Sequence, residues 1–318
     1  MVAPLILLVA LLVGAAAIRL GPVLGLVDHP DGGLKPHQRA VVPLGGIAVF
    51  VAVHLGMAAF DRFDRGLFAA SLLALLLGLV DDRRGLTPTV RLLAEVAIGA
   101  VLVLTADAAG LGQGAVTTVV ALLLVVVTIN AVNLLDGIDG LVGSVATVSA
   151  LGLAVLGAVH GVDLGFGILL AAALLGFLVW NWPPASLFLG DNGAYTVAVF
   201  LVYGIADVAR PGSAWSLLAV SGVLGIIVVD LVVTLLRRRA AGSALFAGDR
   251  SHLYDQLHQG GMAVWMVTTV LTVAQVMLVT VVILLDAALD DGATVVALAA
   301  VLVATVLALR RLGFVGTR

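Results

Sequence analysis

The chain reads as long apolar runs cut by short polar interruptions. Eleven runs stand out, at residues 2–20, 44–60, 66–80, 91–106, 115–135, 142–159, 164–180, 194–208, 214–236, 263–285 and 293–309. The runs are continuous and lack the alternation of barrel strands, so they predict helices. Most approach the roughly 20 residues that carry a helix across about 30 Å of hydrocarbon. Lipid offers no partner to bare backbone N–H and C=O groups, and a helix satisfies both internally. The third run is short and is expected to extend into its flanks. The expected fold is an all-α integral membrane protein of about eleven transmembrane helices, with residues 1–318 forming a single polytopic domain.

Composition agrees with this. The chain is 62% hydrophobic and only 11% charged, against about 25% charge in a soluble domain. That is too much apolar surface for one aqueous core. A net charge of −3 leaves no basic footprint, so no nucleic acid partner is expected. The absence of cysteine excludes disulfides and thiolate metal sites. Glu95 is the only glutamate among 19 acidic residues, and short Asp side chains suit rigid placement beside a metal or a helix end.

Basic residues predict the orientation. None precedes the first run and Arg19 stands at its far end, which points to a retained first helix with the N-terminus outside. On eleven spans, the outer loops then hold only Arg62, Arg65 and Arg210 of the sixteen Lys and Arg residues. The rest fall on the cytosolic side, as the positive-inside rule requires, and the C-terminus ends there. The cytosolic connections are the long or motif-bearing ones: 21–43, 81–90, 136–141, 181–193 and 237–262.

Five polar clusters lie in these connections. The first runs from Asp28 through Lys35, His37 and Arg39 to Pro43-Leu44-Gly45-Gly46; its three basic residues are placed to meet phosphate. The second is Asp81-Asp82 at the end of the third run. Paired carboxylates beside the negative end of a helix dipole are unfavourable, and either a divalent cation or the adjacent Arg83 and Arg84 would relieve them. The third is Asn130-Ala-Val-Asn133-Leu-Leu-Asp136-Gly-Ile-Asp139-Gly. Asn130, Asn133 and Asp136 recur every three residues on one broad helix face, a costly set at the end of an apolar helix unless it has partners. The fourth is Phe188-Leu-Gly-Asp191-Asn192-Gly, where an Asp at a helix start is commonly a cap. The fifth joins Asp230 to Asp249, Arg250 and His252 in the longest loop, placed to close over a phosphate or a sugar.

With these motifs in this order from Asp28 to His252, the chain resembles the polyprenyl-phosphate N-acetylhexosamine-1-phosphate transferases, a family that includes phospho-MurNAc-pentapeptide translocase. The resemblance implies catalytic roles for Asp81, Asp82, Asp136 and Asp139. It implies Mg²⁺, or Mn²⁺ in its place, held by Asp191, Asp136 and Asp81. It further implies substrate contacts from Lys35, His37, Arg39, Asn130, Asn133, Phe188 (stacked on uracil), Asn192, Asp230, Asp249, Arg250 and His252. Pro43-Leu44-Gly45-Gly46 and Asp249-Arg250-Ser251-His252 look more like the N-acetylglucosamine branch. Tyr254-Asp255, Ala244 and Glu95 depart from the family pattern, Glu95 standing where a glutamine is usual.

The implied reaction moves a sugar 1-phosphate from a UDP-sugar to polyprenyl phosphate and releases UMP, opening cell-envelope polysaccharide synthesis (lipopolysaccharide, teichoic acid or arabinogalactan). A phosphate monoester is largely dianionic near pH 7, its second pKa being about 6. Charge neutralisation is therefore the main demand and a general base a lesser one. Expected partners are the UDP-sugar, the polyprenyl phosphate and the bilayer of the plasma membrane, with a homodimer left open. The alternatives are phospho-MurNAc-pentapeptide transfer to the same lipid, or a multi-helix transporter, which would place its carboxylates near the bilayer midplane.

Overall fold

The computed structural model describes residues 2–29, 40–108, 110–162, 165–242 and 251–315. Thirteen α-helices account for most of them: α1 (Val2–Leu20), α2 (Gly45–Ala59), α3 (Arg65–Arg84), α4 (Pro88–Thr105), α5 (Ala115–Leu135), α6 (Leu141–Val159), α7 (Gly165–Asn181), α8 (Gly190–Val208), α9 (Ala214–Val220), α10 (Gly225–Ala240), α11 (Leu253–Gln259), α12 (Val264–Ala288) and α13 (Asp291–Arg311). Among the described residues, extended pairing is confined to two isolated bridges, Asp28 with Val41 and Val42 with Leu187.

Each of the eleven apolar runs meets a helix. The third does extend into its flanks, reaching Arg84. The ninth is not one helix. A 3₁₀ turn at Ser221–Leu224 separates α9 from α10, and the side chain of Gln275 in α12 mends the gap. Its Oε1 accepts from Ile226 N at 2.8 Å, and its Nε2 donates to Val223 O at 2.7 Å and to Ser149 Oγ at 3.0 Å. Broken backbone inside a membrane protein needs such a substitute partner.

Burial divides the bundle in a way water would not allow. α8 is enclosed on every side, with each residue from Asn192 to Ala206 buried. α13 is as apolar, yet only Thr294 in it is buried. Large side chains such as Leu12, Leu104, Val116 and Leu307 stand exposed, far beyond the patches a soluble monomer shows. Among the described residues, seven helical segments are long and apolar enough to cross a membrane, and α2 and α7 are shorter apolar helices. The protein is a multi-pass membrane protein.

Two close crossings place the start of α8. A Cβ on Gly78 of α3 would fall 2.2 Å from Asn192 N, and one on Gly46 of α2 would fall 2.4 Å from the Gly193 Cα. Only glycine lets the backbones approach so closely. The first turn of α8 is thereby held against the end of α3 and the start of α2.

Candidate active site

Where α3 and α5 end and α8 begins, a cavity of about 770 Å³ opens. Its wall includes Asp81, Asp82, Arg83, Asn133, Asp136, Asp139, Phe188 and Asp191, with Asp28, Asn181 and Tyr254 at its margins. Residues distant in sequence thus converge on one space.

The two aspartates at the end of α3 take different tasks. Asp81 is buried and its carboxylate is already engaged. Oδ1 accepts from Leu86 N at 2.7 Å, and Oδ2 accepts from the Tyr195 hydroxyl at 2.6 Å and the Arg91 Nη2 at 2.7 Å. Asp82 turns the other way, toward the start of α8. That helix has no capping side chain of its own at Leu189. Asp82 supplies one from another helix, accepting from Asp191 N at 3.1 Å, Asn192 N at 3.4 Å and Asn192 Nδ2 at 2.9 Å. A carboxylate there answers both the unpaired N–H groups and the positive dipole end. The capping role expected of Asp191 therefore belongs to Asp82.

Relieved of capping, Asp191 offers its carboxylate to the cavity. Its Oδ1 accepts from Asn133 Nδ2 at 2.6 Å, and Oδ2 meets no donor among the described residues. Asp136 follows the last residue of α5 and accepts no hydrogen bond at all from the described residues. Burial, followed by the nearby carboxylates of Asp191, Asp82 and Asp139, pushes its carboxyl well above the usual carboxylate range. Asp139 accepts from Ala185 N at 2.9 Å and so ties this corner to the 181–189 loop. Asn181 bridges the same two segments, accepting from Gly140 N at 3.0 Å and donating to Leu187 O at 2.9 Å.

The donor set is all oxygen, which suits a hard cation such as Mg²⁺. Among the described residues, no three Asp, Glu or His side chains are grouped so as to hold a cation by themselves. The expected trio of Asp81, Asp136 and Asp191 is not assembled, because Asp81 is committed to Tyr195, Arg91 and Leu86. Asp136 and Asp191 remain, and one or two carboxylates completed by water and substrate phosphate is the common Mg²⁺ arrangement.

Several expected substrate contacts lie elsewhere. Asn130 donates to Glu95 Oε2 at 2.6 Å and Val126 O at 2.9 Å, between α4 and α5 rather than in the cavity wall. Helical steps of three fall about 60° short of a full turn, so Asn130 points well away from Asp136. Asn192 is fully buried and donates to Pro43 O at 2.6 Å. Asp230, also fully buried, accepts from Leu253 N at 2.9 Å and pairs with His252 Nδ1 at 2.8 Å. That pair anchors the start of α11 and lines no part of the cavity. Lys35, His37, Arg39, Asp249 and Arg250 lie outside the described residues.

Sequence reasoning missed Tyr195 and Arg91, the two side-chain partners of Asp81, and Tyr254. Tyr195 hides inside an apolar run; its signal was a hydroxyl one turn beyond Asp191. Arg91 was read only for topology. Tyr254 was noted only as a departure; it stacks on His252 with ring centroids 5.2 Å apart, donates to Leu134 O at 3.1 Å and packs on Gly137, where a Cβ would meet its hydroxyl.

Residues 65–208 match the family model described as glycosyl transferase family 4; the match begins and ends with the helices α3 and α8. A probable undecaprenyl-phosphate N-acetylglucosaminyl 1-phosphate transferase of Bacillus subtilis is 26% identical over 280 residues, covering 81% of this chain and 76% of that protein. A decaprenyl-phosphate N-acetylglucosaminephosphotransferase of Mycobacterium tuberculosis is 28% identical, over 76% of this chain and 72% of its own. A phospho-N-acetylmuramoyl-pentapeptide-transferase of Rippkaea orientalis is 28% identical over 63% and 61% of the two chains.

Proposed function

Because residues 65–208 are a glycosyl transferase family 4 domain, we propose that this protein transfers N-acetylglucosamine 1-phosphate from its UDP-sugar to polyprenyl phosphate, releasing UMP. The names of the relatives support the acceptor and the sugar, and the family supplies the UDP donor. One observation carries the reading: Asp136, which accepts no hydrogen bond from the described residues, faces Asp82, Asp139 and Asp191 across one cavity. That surplus of negative charge is the shape of a cation site.

Asp136 and Asp191 would hold the cation, and Asn133 would orient Asp191. The bound Mg²⁺ would neutralise and align the two phosphates, whose mutual repulsion is the main barrier. Asp82 acts by fixing the start of α8, and Asp81 by locking α3 to α4 and α8 through Arg91 and Tyr195. Phe188 lines the cavity and would offer its ring to uracil. The lipid phosphate already carries its nucleophilic charge near neutral pH, so none of these carboxylates has to remove a proton.

The distribution of basic residues supports eleven spans, an outside N-terminus and a site facing the cytosol of the plasma membrane. The soluble donor then enters from the cytosol while the prenyl tail stays in hydrocarbon. The deciding experiment incubates purified full-length protein with polyprenyl phosphate, Mg²⁺ and a panel of UDP-sugars. UMP and the lipid product should appear together with UDP-N-acetylglucosamine, and EDTA should stop both. Failure to release UMP from any donor would remove the reading.

A further inference from the structure

Glu95 is the chain's single glutamate and sits inside α4, 1% exposed. A buried carboxylate between membrane helices is expensive unless the protein supplies partners. Its Oε2 has one, Asn130 Nδ2 at 2.6 Å; its Oε1 has none among the described residues. The cation nearby is Arg91, one turn earlier on the same helix face. Arg91 spends Nη2 on Asp81, and its Nε meets no partner among the described residues.

The Asn130 contact reaches one arm of the cavity, while Arg91, which holds Asp81 of α3, acts on Glu95 through its charge and not through an ion pair. Through Asn130, Glu95 fixes the register of α5, and one turn further along α5 Asn133 holds Asp191 at 2.6 Å. Sliding or rotating α5 against α4 would carry Asn133 off Asp191. Glu95 itself does not line the cavity.

We propose that Glu95 is a positioning residue for the cation-facing carboxylates, setting α4 against α5 so that Asn133 keeps Asp191 aimed into the cavity. The inference rests on the reading above for the identity of the cation, and it assigns Glu95 no contact with substrate. A glutamine retains the acceptor that Asn130 needs, whereas leucine removes it.

The test measures Mn²⁺ binding by electron paramagnetic resonance on full-length protein in lipid nanodiscs, without turnover, alongside thermal unfolding. Glu95→Leu and Asn130→Ala should each weaken Mn²⁺ binding by about tenfold, the lower end of what loss of an outer partner of a metal ligand costs. Glu95→Gln should stay within about threefold of the parent, since it keeps the acceptor and loses only the charge. If Glu95→Leu does not fold, Asn130→Ala against Glu95→Gln makes the same comparison. Lowered melting temperatures with unchanged Mn²⁺ midpoints would overturn the proposal in favour of a packing role. So would a Glu95→Gln protein as defective as Asn130→Ala. A parent protein that binds Mn²⁺ but releases no UMP would sink the transferase reading alone, and one that binds no Mn²⁺ would sink both.

Discussion

The two ends of α8 handle charge in opposite ways. At the Val208 end, charged groups are matched. His160 Nε2 lies 2.7 Å from Asp286 Oδ2, with its Nδ1 against Val208 O, and Arg210 pairs with Asp291 at 2.7 Å. Asp64 is likewise spent on two backbone amides, Leu67 N and Asp107 N, both at 2.8 Å. At the Gly190 end, Asp82, Asp136, Asp139 and Asp191 crowd one cavity, and Arg91 is already committed to Asp81. Matched charges hold helices together. Carboxylates of a single sign crowded together raise the energy of a cation-free site, and a cation arriving with anionic substrate lowers it. The difference separates a structural end from a working end on one helix.

The largest effect should come from removing the surplus itself. Asp136→Asn or Asp191→Asn should cut UMP release on the order of 10²–10³-fold, as loss of a key electrostatic group does, and should abolish Mn²⁺ binding; near-normal turnover would erase the contrast between the ends. Tyr195→Phe should cost less, about tenfold in kcat, because Asp81 keeps Arg91 and Leu86 N and loses one hydrogen bond worth about 1–1.5 kcal/mol.

The pH dependence sharpens the same point. The raised pKa of Asp136 means that, without a cation, its carboxyl keeps a proton to higher pH than an ordinary carboxylate, and a cation binding there competes with that proton. The half-saturating Mg²⁺ concentration should therefore fall as pH rises through the Asp136 range, by up to about tenfold per unit for one proton released. For the cation-free protein, this elevated group favours folding below its unfolded pKa, and that contribution is lost as pH rises through its folded value. A titration of Mg²⁺ midpoint against pH with zero slope would contradict it. The smallest effect on turnover belongs to the matched end. Asp286→Ala should leave kcat and KM unchanged while lowering stability by about 1–3 kcal/mol, seen as an earlier melt, because His160 loses its buried partner.

Much of this was legible in the sequence, and the reasons are local. Apolar runs of sufficient length have one solution in lipid, so each run was found as helix. The convergence of Asp82, Asp136 and Asp191 was readable because each sits at the end of a run, where alternate spans place it on one side. What was illegible depends on partners chosen in three dimensions. Nothing near Asp82 reveals that it caps a helix beginning 108 residues later, or that Asp81 is taken by Tyr195 and Arg91. Asp230, inside the ninth run, and His252, in the longest loop, looked like ligand groups because the resemblance implied substrate contacts there. Only the geometry shows them spending that chemistry on each other.

The mended gap between α9 and α10 has a consequence for inheritance. One amide at position 275 serves Val223, Ile226 and Ser149 together, so three segments of the chain share a single point of dependence. A descendant that straightens the ninth run strands a buried glutamine, and one that loses the glutamine leaves an open backbone with nothing to close it. The two stretches are free to change only in concert.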